Sequence, residues 1–207
     1  TCNIGPFLIN WLNITHSIPE PQALLISTAA GKVFHTADWK MDAAPITGKP
    51  FKAPVFKRLA AQGITAMVCD STNALKSGFS LSETACYQAL YEVISQEKQR
   101  VVVSGFSSNI GRLISLGRIA QRTGRYLALF GRAMENMVGA ARACGYWPED
   151  IPLIDPAHIG YLPVEEVLVA ATGSQGEPRA ALTKLAEQRH PHLLLQENDL
   201  VLFSANL

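Results

Sequence analysis

Hydrophobic and polar positions change rhythm near residue 55. Before it, apolar and β-branched residues come in short runs, 6–13, 23–28 and 33–36, split by Pro19-Glu20-Pro21 and Ala29-Ala30-Gly31. Runs of that length between turn residues predict neighbouring strands joined by tight connections. Residues 42–54 carry three prolines and a glycine and read as a loop.

After residue 55 the pattern alternates. Residues 55–62 predict a short helix closed by Gly63, and 64–69 a buried strand ending in Asp70-Ser71-Thr72-Asn73. Ser80-Leu81-Ser82-Glu83 has the spacing of a capping box, and Cys86, Ala89, Leu90, Val93 and Ile94 follow at helical intervals. Strands are then expected at 101–103, 126–130 and 166–171, with helices at 108–123 and at 132–144, the latter stopped by Gly145. A proline-rich irregular stretch fills 146–163. A second capping box, Ser174 to Glu177, predicts a helix over 175–188, and 192–195 and 200–203 read as closing strands. Strands separated by helices of this length imply a parallel sheet covered on both faces, a Rossmann-like α/β domain.

The 207 residues suffice for one domain or two small ones, and 48% hydrophobic with 17% charged residues is a globular balance. The formal charge of +1 offers no global basic excess, so any anion site must be local. Cys2, Cys69, Cys86 and Cys144 form no CxxC pair, which points away from a zinc knuckle or disulfide framework and toward a reducing cytoplasm. No apolar run approaches the roughly 20 residues that span a bilayer, so no membrane role is expected. Both ends, close to predicted strands, read as cut from something longer.

Candidate chemistry is densest in residues 15–38. His16 and Asp38 each follow an apolar run, so two strand ends would bring an imidazole and a carboxylate into one site, a pairing that suits a metal activating water. Singly, such a histidine is more often structural and such an aspartate a turn residue. His35, three residues before Asp38, would face the other way on an extended chain and is at most a supporting neighbour. Asp70 ends a predicted strand, where α/β sheets place functional groups, although Asp-Ser-Thr-Asn is also ordinary turn chemistry. Three strand-to-helix junctions share small and hydroxylated residues: 104–109 with Ser107, Ser108 and Asn109, Gly131-Arg132, and 172–177 with Ser174, Gln175 and Gly176. Such junctions admit a ligand close to the backbone, or merely cap helices. Neither a dinucleotide fingerprint nor a GKS/GKT phosphate loop is present, which disfavours a nucleotide-cofactor enzyme.

Six segments in order, THSIPEP, HTADWKMD, DSTNA, FSSNIGR, GRAMENM and TGSQGEPRAAL, resemble the ribonuclease J group of the metallo-β-lactamase superfamily, the branch with an inserted β-CASP domain. The resemblance implies an α/β fold in which residues 1–70 are the later part of a metallo-β-lactamase half-domain and 71–207 a β-CASP domain. It implies that His16 is a zinc ligand, that Asp38 bridges two zinc ions, and that Asp70 lies near the active centre, with Asp38 and Asp70 serving catalysis. It also implies that Ser107, Ser108, Asn109, Arg132, Ser174, Gln175 and Gly176 border an RNA channel, with Arg112, Arg118 and Arg125 as further candidates for its wall. Alanine stands at 37, where the family usually has glycine. The family's HxHxDH and HxSGHA segments are absent from these 207 residues.

The implied parent activity is zinc-dependent hydrolysis of RNA phosphodiesters from a 5′ end and also internally, in RNA processing and decay, by a homodimer or tetramer. With two ligands of the three or four that zinc takes, the chain alone is expected to be inactive. Two other classes stay open: a non-catalytic RNA-binding or assembly module, and a metallo-β-lactamase-like hydrolase of another substrate.

Overall fold

The computed structural model describes residues 1–205, so the last two residues of the expected domain 71–207 lie outside the described part. The chain divides into two compact units, Thr1–Thr84 and Ala85–Leu207. The 70/71 boundary comes from family resemblance; by contacts, residues 71–84 go with the first unit.

The first unit is a five-stranded sheet in the order β1 (Cys2–Ile4), β2 (Phe7–Asn13), β3 (Gln22–Thr28), β4 (Gly31–His35), β5 (Ala66–Val68). The first four strands form an antiparallel meander, and β5 joins β4 in parallel. Tight turns explain the short connections: Ile4 pairs with Phe7 across Gly5-Pro6, and Thr28 with Gly31 across Ala29-Ala30. Alternation along β3 turns Ala23 and Leu25 into a core with Ile14, Phe34 and Leu59. Leu59 comes from α1 (Ala53–Ala60), which Pro54 opens at a position where no amide is needed.

Residues 66–68 differ from expectation. The run reads as a buried strand, yet all three residues are exposed, Met67 by 55% and Val68 by 52%. A strand at the edge of a sheet lacks the second neighbour that buries a central one.

In the second unit a parallel sheet runs β7 (Tyr126–Phe130), β8 (Val167–Ala171), β6 (Val101–Ser104), β9 (Leu200–Phe203). Every residue of β6 and β8 is buried, as expected where both faces of a sheet are covered. The helices are α2 (Glu83–Gln96), α3 (Ile110–Thr123), α4 (Arg132–Ala143) and α5 (Ala181–Ala186). Asn109 caps α3 by accepting the Arg112 amide at 2.9 Å, and Gly124 ends it in the left-handed conformation.

Two capping boxes and one strand do not form as the sequence suggests. Helix α2 begins at Glu83, three residues after Ser80, and the Glu83 amide donates to Asp42 Oδ2 at 2.9 Å, so a carboxylate from the 42–54 loop takes up one of the free helix-end amides. Helix α5 starts at Ala181 rather than 175, because Gly173, Gly176 and Pro178 break the preceding turn and Glu177 accepts the Gln175 amide inside that loop. Among the described residues, 192–195 pair with no strand; Leu193 fills the core without joining the ladder.

Candidate functional site

Backbone bonds gather the candidate residues of the first unit. Thr15 and Lys40 form an isolated antiparallel bridge, Lys40 N donating to Thr15 O at 2.8 Å, which sets the residue after Thr15 beside the residues before Lys40. His16 and Asp38 therefore sit at one sheet edge. Asp70 is tied there too: its amide donates to Thr36 Oγ1 at 3.0 Å, and its carbonyl accepts Trp39 Nε1 at 3.2 Å. The Thr72 hydroxyl and amide hold the Asp70 carboxyl below the usual carboxylate range; the Trp39 backbone amide and nearby His16 act in the same direction.

His16 is half-buried with Nδ1 3.1 Å from Ser17 Oγ, and Asp38 is exposed. Asp38 follows Ala37, whose φ of +51° places an alanine in the left-handed region. That turn is pinned from both sides: the Ala37 amide donates to His35 Nδ1 at 3.0 Å, and Thr36 Oγ1 donates to Ala37 O at 2.7 Å. His35 supports the loop that carries Asp38.

Behind the edge lies a buried charged group. Asp42, 1% exposed, accepts the amides of Ala44 and Glu83, and Lys40 Nζ lies 3.4 Å from its Oδ2 and 2.9 Å from Glu83 Oε1. Thr15 joins through its hydroxyl, which donates to Lys40 O and accepts the Asp42 amide at 3.0 Å. The backbone on either side of His16 and Asp38 is thus fixed by fully engaged polar groups.

Imidazole and carboxylate are donors zinc accepts, but it takes three or four protein ligands. Among the described residues no group of three or more His, Cys, Asp or Glu is arranged to hold a metal ion. The donor types of His16 and Asp38 fit zinc, and the described residues bring fewer of them together than a zinc ion takes.

In the second unit a cleft of about 1290 Å³ opens at the carboxyl edge of the sheet, where the loops after β6, β7 and β8 meet. Gly131 is the close approach that permits this: a Cβ there would lie 2.5 Å from Thr172 Oγ1, so a side chain would push two loops apart. Ser107 and Arg132 line the cleft, and Arg132 is exposed. Other predicted residues have different places. Asn109 is a helix cap, Ser174 is buried at 2% exposure, and Ser108, Gln175 and Gly176 lie outside the lining.

The arginines proposed for a channel wall separate in the same way. Arg125 is buried, donating to the carbonyls of Gln99, Val167 and Glu97 at 2.8–2.9 Å, and is a structural clamp. Arg118 pairs with Asp150. Arg112 donates to Ser204 O at 3.1 Å. The cleft instead recruits Arg142, Arg179, Lys184, His190 and His192. The sequence signal for the last two was the His190-Pro191-His192 triplet, hidden in what reads as the approach to a strand.

A β-rich unit followed by an α/β unit with a parallel sheet matches the β-CASP branch of the metallo-β-lactamase superfamily. Comparison with known families agrees: the model described as Ribonuclease J, beta-CASP domain, matches residues 98–207. Ribonuclease J of Sinorhizobium meliloti is 40% identical over 203 residues, 98% of this chain and 36% of that protein. Those of Helicobacter pylori strain B128 and Mycolicibacterium smegmatis are each 36% identical, over 98% of this chain and 30% and 37% of their own lengths. The chain belongs to the ribonuclease J family, and it spans 30–37% of the length of these three relatives. Among the described residues no helix is long and apolar enough to cross a membrane.

Proposed function

We propose that this chain is part of a metal-dependent ribonuclease that hydrolyses RNA phosphodiesters, from a 5′ end and also internally, in the cytoplasm. The observation that carries the reading is the gathering of His16, Asp38 and Asp70 at one sheet edge by the Thr15–Lys40 bridge and the Asp70 bonds to Thr36 and Trp39. His16, through the ring nitrogen not facing Ser17, and Asp38 are this chain's contribution to a two-zinc centre completed by ligands outside these residues. Asp70, held ionised, adds negative charge beside them. The second unit holds the RNA strand, Ser107 and Arg132 facing it, and the active protein is a homodimer or tetramer.

The test is RNA degradation by the full-length protein. His16→Ala and Asp38→Ala each lower the rate by more than about 100-fold, the scale of losing a group that stabilises transition-state charge, while RNA binding persists. Undiminished degradation by either variant overturns the reading. A second reading holds for the 207 residues taken alone. The shortage of metal donors among the described residues favours an RNA-binding module without turnover. Metal-dependent degradation by the isolated chain would overturn that part.

A further inference from the structure

The cleft carries an aromatic stack. The His190 ring lies flat on Phe130, centroids 4.1 Å apart at 11°, and His192 meets His190 edge-on at 5.8 Å. Phe130 is the last residue of β7 and 1% exposed, so a rigid strand end backs the histidine. Burial, helped by neighbouring His192 and Lys184, pushes the His190 pKa down to about 4, so near neutral pH the ring is an uncharged aromatic surface. Arg132, Arg179 and Lys184 line the same cleft. Of its carboxylates, Asp155 and Glu177 each accept a backbone amide of their own loops, from Ala157 and Gln175, leaving Glu135 as the other acidic group.

A neutral aromatic ring with cations around it matches the chemistry of a nucleotide, whose base stacks and whose phosphate pairs with a cation. The cleft, about 1290 Å³ and open to solvent, has room for a strand to enter and leave.

We propose that the His190–Phe130 stack is a subsite for one unpaired base of single-stranded RNA, with Arg132 and Lys184 receiving the adjoining phosphate. The inference rests on the RNA reading above and adds the residues that grip the strand.

The test measures binding of a short single-stranded oligoribonucleotide to the full-length protein in EDTA, so that the strand stays intact. His190→Ala weakens binding about tenfold, as expected for the loss of one base–aromatic stack, and His190→Phe restores it. His190→Leu, which fills the space without an aromatic face, binds as weakly as His190→Ala and keeps the test valid if the alanine variant unfolds. Lys184→Gln reduces the slope of log affinity against log salt by about 0.7, the value for one phosphate contact on a single strand. Wild-type affinity in His190→Leu, or failure of His190→Phe to restore binding, overturns the stacking subsite. A free mononucleotide that competes as well as the oligomer overturns the strand-borne ligand. If the wild-type protein binds no RNA, the reading under Proposed function fails first.

Discussion

The two units hold their candidate chemistry by different means. In the first, His16, Asp38 and Asp70 follow the ends of β2, β4 and β5, and their positions depend on a few polar side chains: Thr15, Thr36, Lys40 and Asp42. In the second, the cleft rests on strands buried on both faces, and its groups arrive from loops as far apart in sequence as Ser107 and His192 because the order β7-β8-β6-β9 collects those loops. A site built on polar bonds should be sensitive to single polar substitutions. One built on an apolar sheet should tolerate them, unless a polar group is itself part of the sheet's framework.

Arg125 is that exception and gives the largest expected effect. Its guanidinium donates to three carbonyls, including Val167 O at the start of β8, and burial lowers its pKa despite Glu97 and Glu165 nearby. Arg125→Met removes the donors and leaves buried carbonyls unpaired, at about 4 kcal/mol. Urea denaturation reads it as a lower midpoint with unchanged slope. A loss below about 1 kcal/mol would mean that water serves those carbonyls and that the second unit depends on its apolar strands alone.

Asp42→Ala tests the other side. It strips acceptors from the Ala44 and Glu83 amides and a partner from Lys40, for about 3 kcal/mol, again by urea denaturation. RNA degradation by the full-length protein should fall with it, because the same bonds fix Thr15 and Lys40. Full activity with lowered stability would separate the buried charges from the site they adjoin.

A smaller effect comes from His190. Its folded-state pKa of about 4 lies below the ordinary 6.5, so as pH falls the unfolded chain takes up the proton first. Its contribution to stability is complete above about pH 6.5 and is lost as pH falls from there toward 4. The full shift would amount to roughly 3 kcal/mol, and partial exposure reduces that to about 1–2 kcal/mol. Denaturation midpoints between pH 7 and 4 should fall less steeply in His190→Phe than in the wild type; equal slopes would mean the ring charges as freely in the folded protein.

These effects also explain which features could be read from the chain. Strand 126–130 and the turns around Gly5-Pro6 and Ala29-Ala30 follow from local patterns and appear where expected. That the segments of His16 and Asp38 lie side by side was legible because a short meander joins them, and the Thr15–Lys40 bridge has that pairing. Burial at 66–68 was not, since an apolar run does not say whether its strand has one neighbour or two. Nor was the roster of the cleft: Ser-x-x-Glu spacing at 174–177 suggests a helix that two positive-φ glycines and Pro178 prevent, and Arg125 looks like any surface arginine until Val167 is placed beside it. Lys184 and His190 join Arg132 only through the crossover between β7 and β8 and the chain that follows.

The smallest expected effect sharpens the account of the first unit. Ala37 adopts φ +51°, where a Cβ crowds the following carbonyl at a cost of about 1–2 kcal/mol. Glycine avoids that crowding but adds roughly 0.5–1 kcal/mol of chain entropy to the unfolded state, so Ala37→Gly should stabilise by about 0.5–1 kcal/mol. The bonds on either side, from the Ala37 amide to His35 and from Thr36 Oγ1 to Ala37 O, involve backbone atoms of residue 37 that glycine retains, so Asp38 keeps its place. The urea midpoint should rise slightly, and RNA degradation by the full-length protein should stay within about twofold. A lower midpoint would show that the methyl group packs well enough to outweigh its strain, and unchanged stability with a large loss of activity would show that the strained turn itself aims the carboxylate.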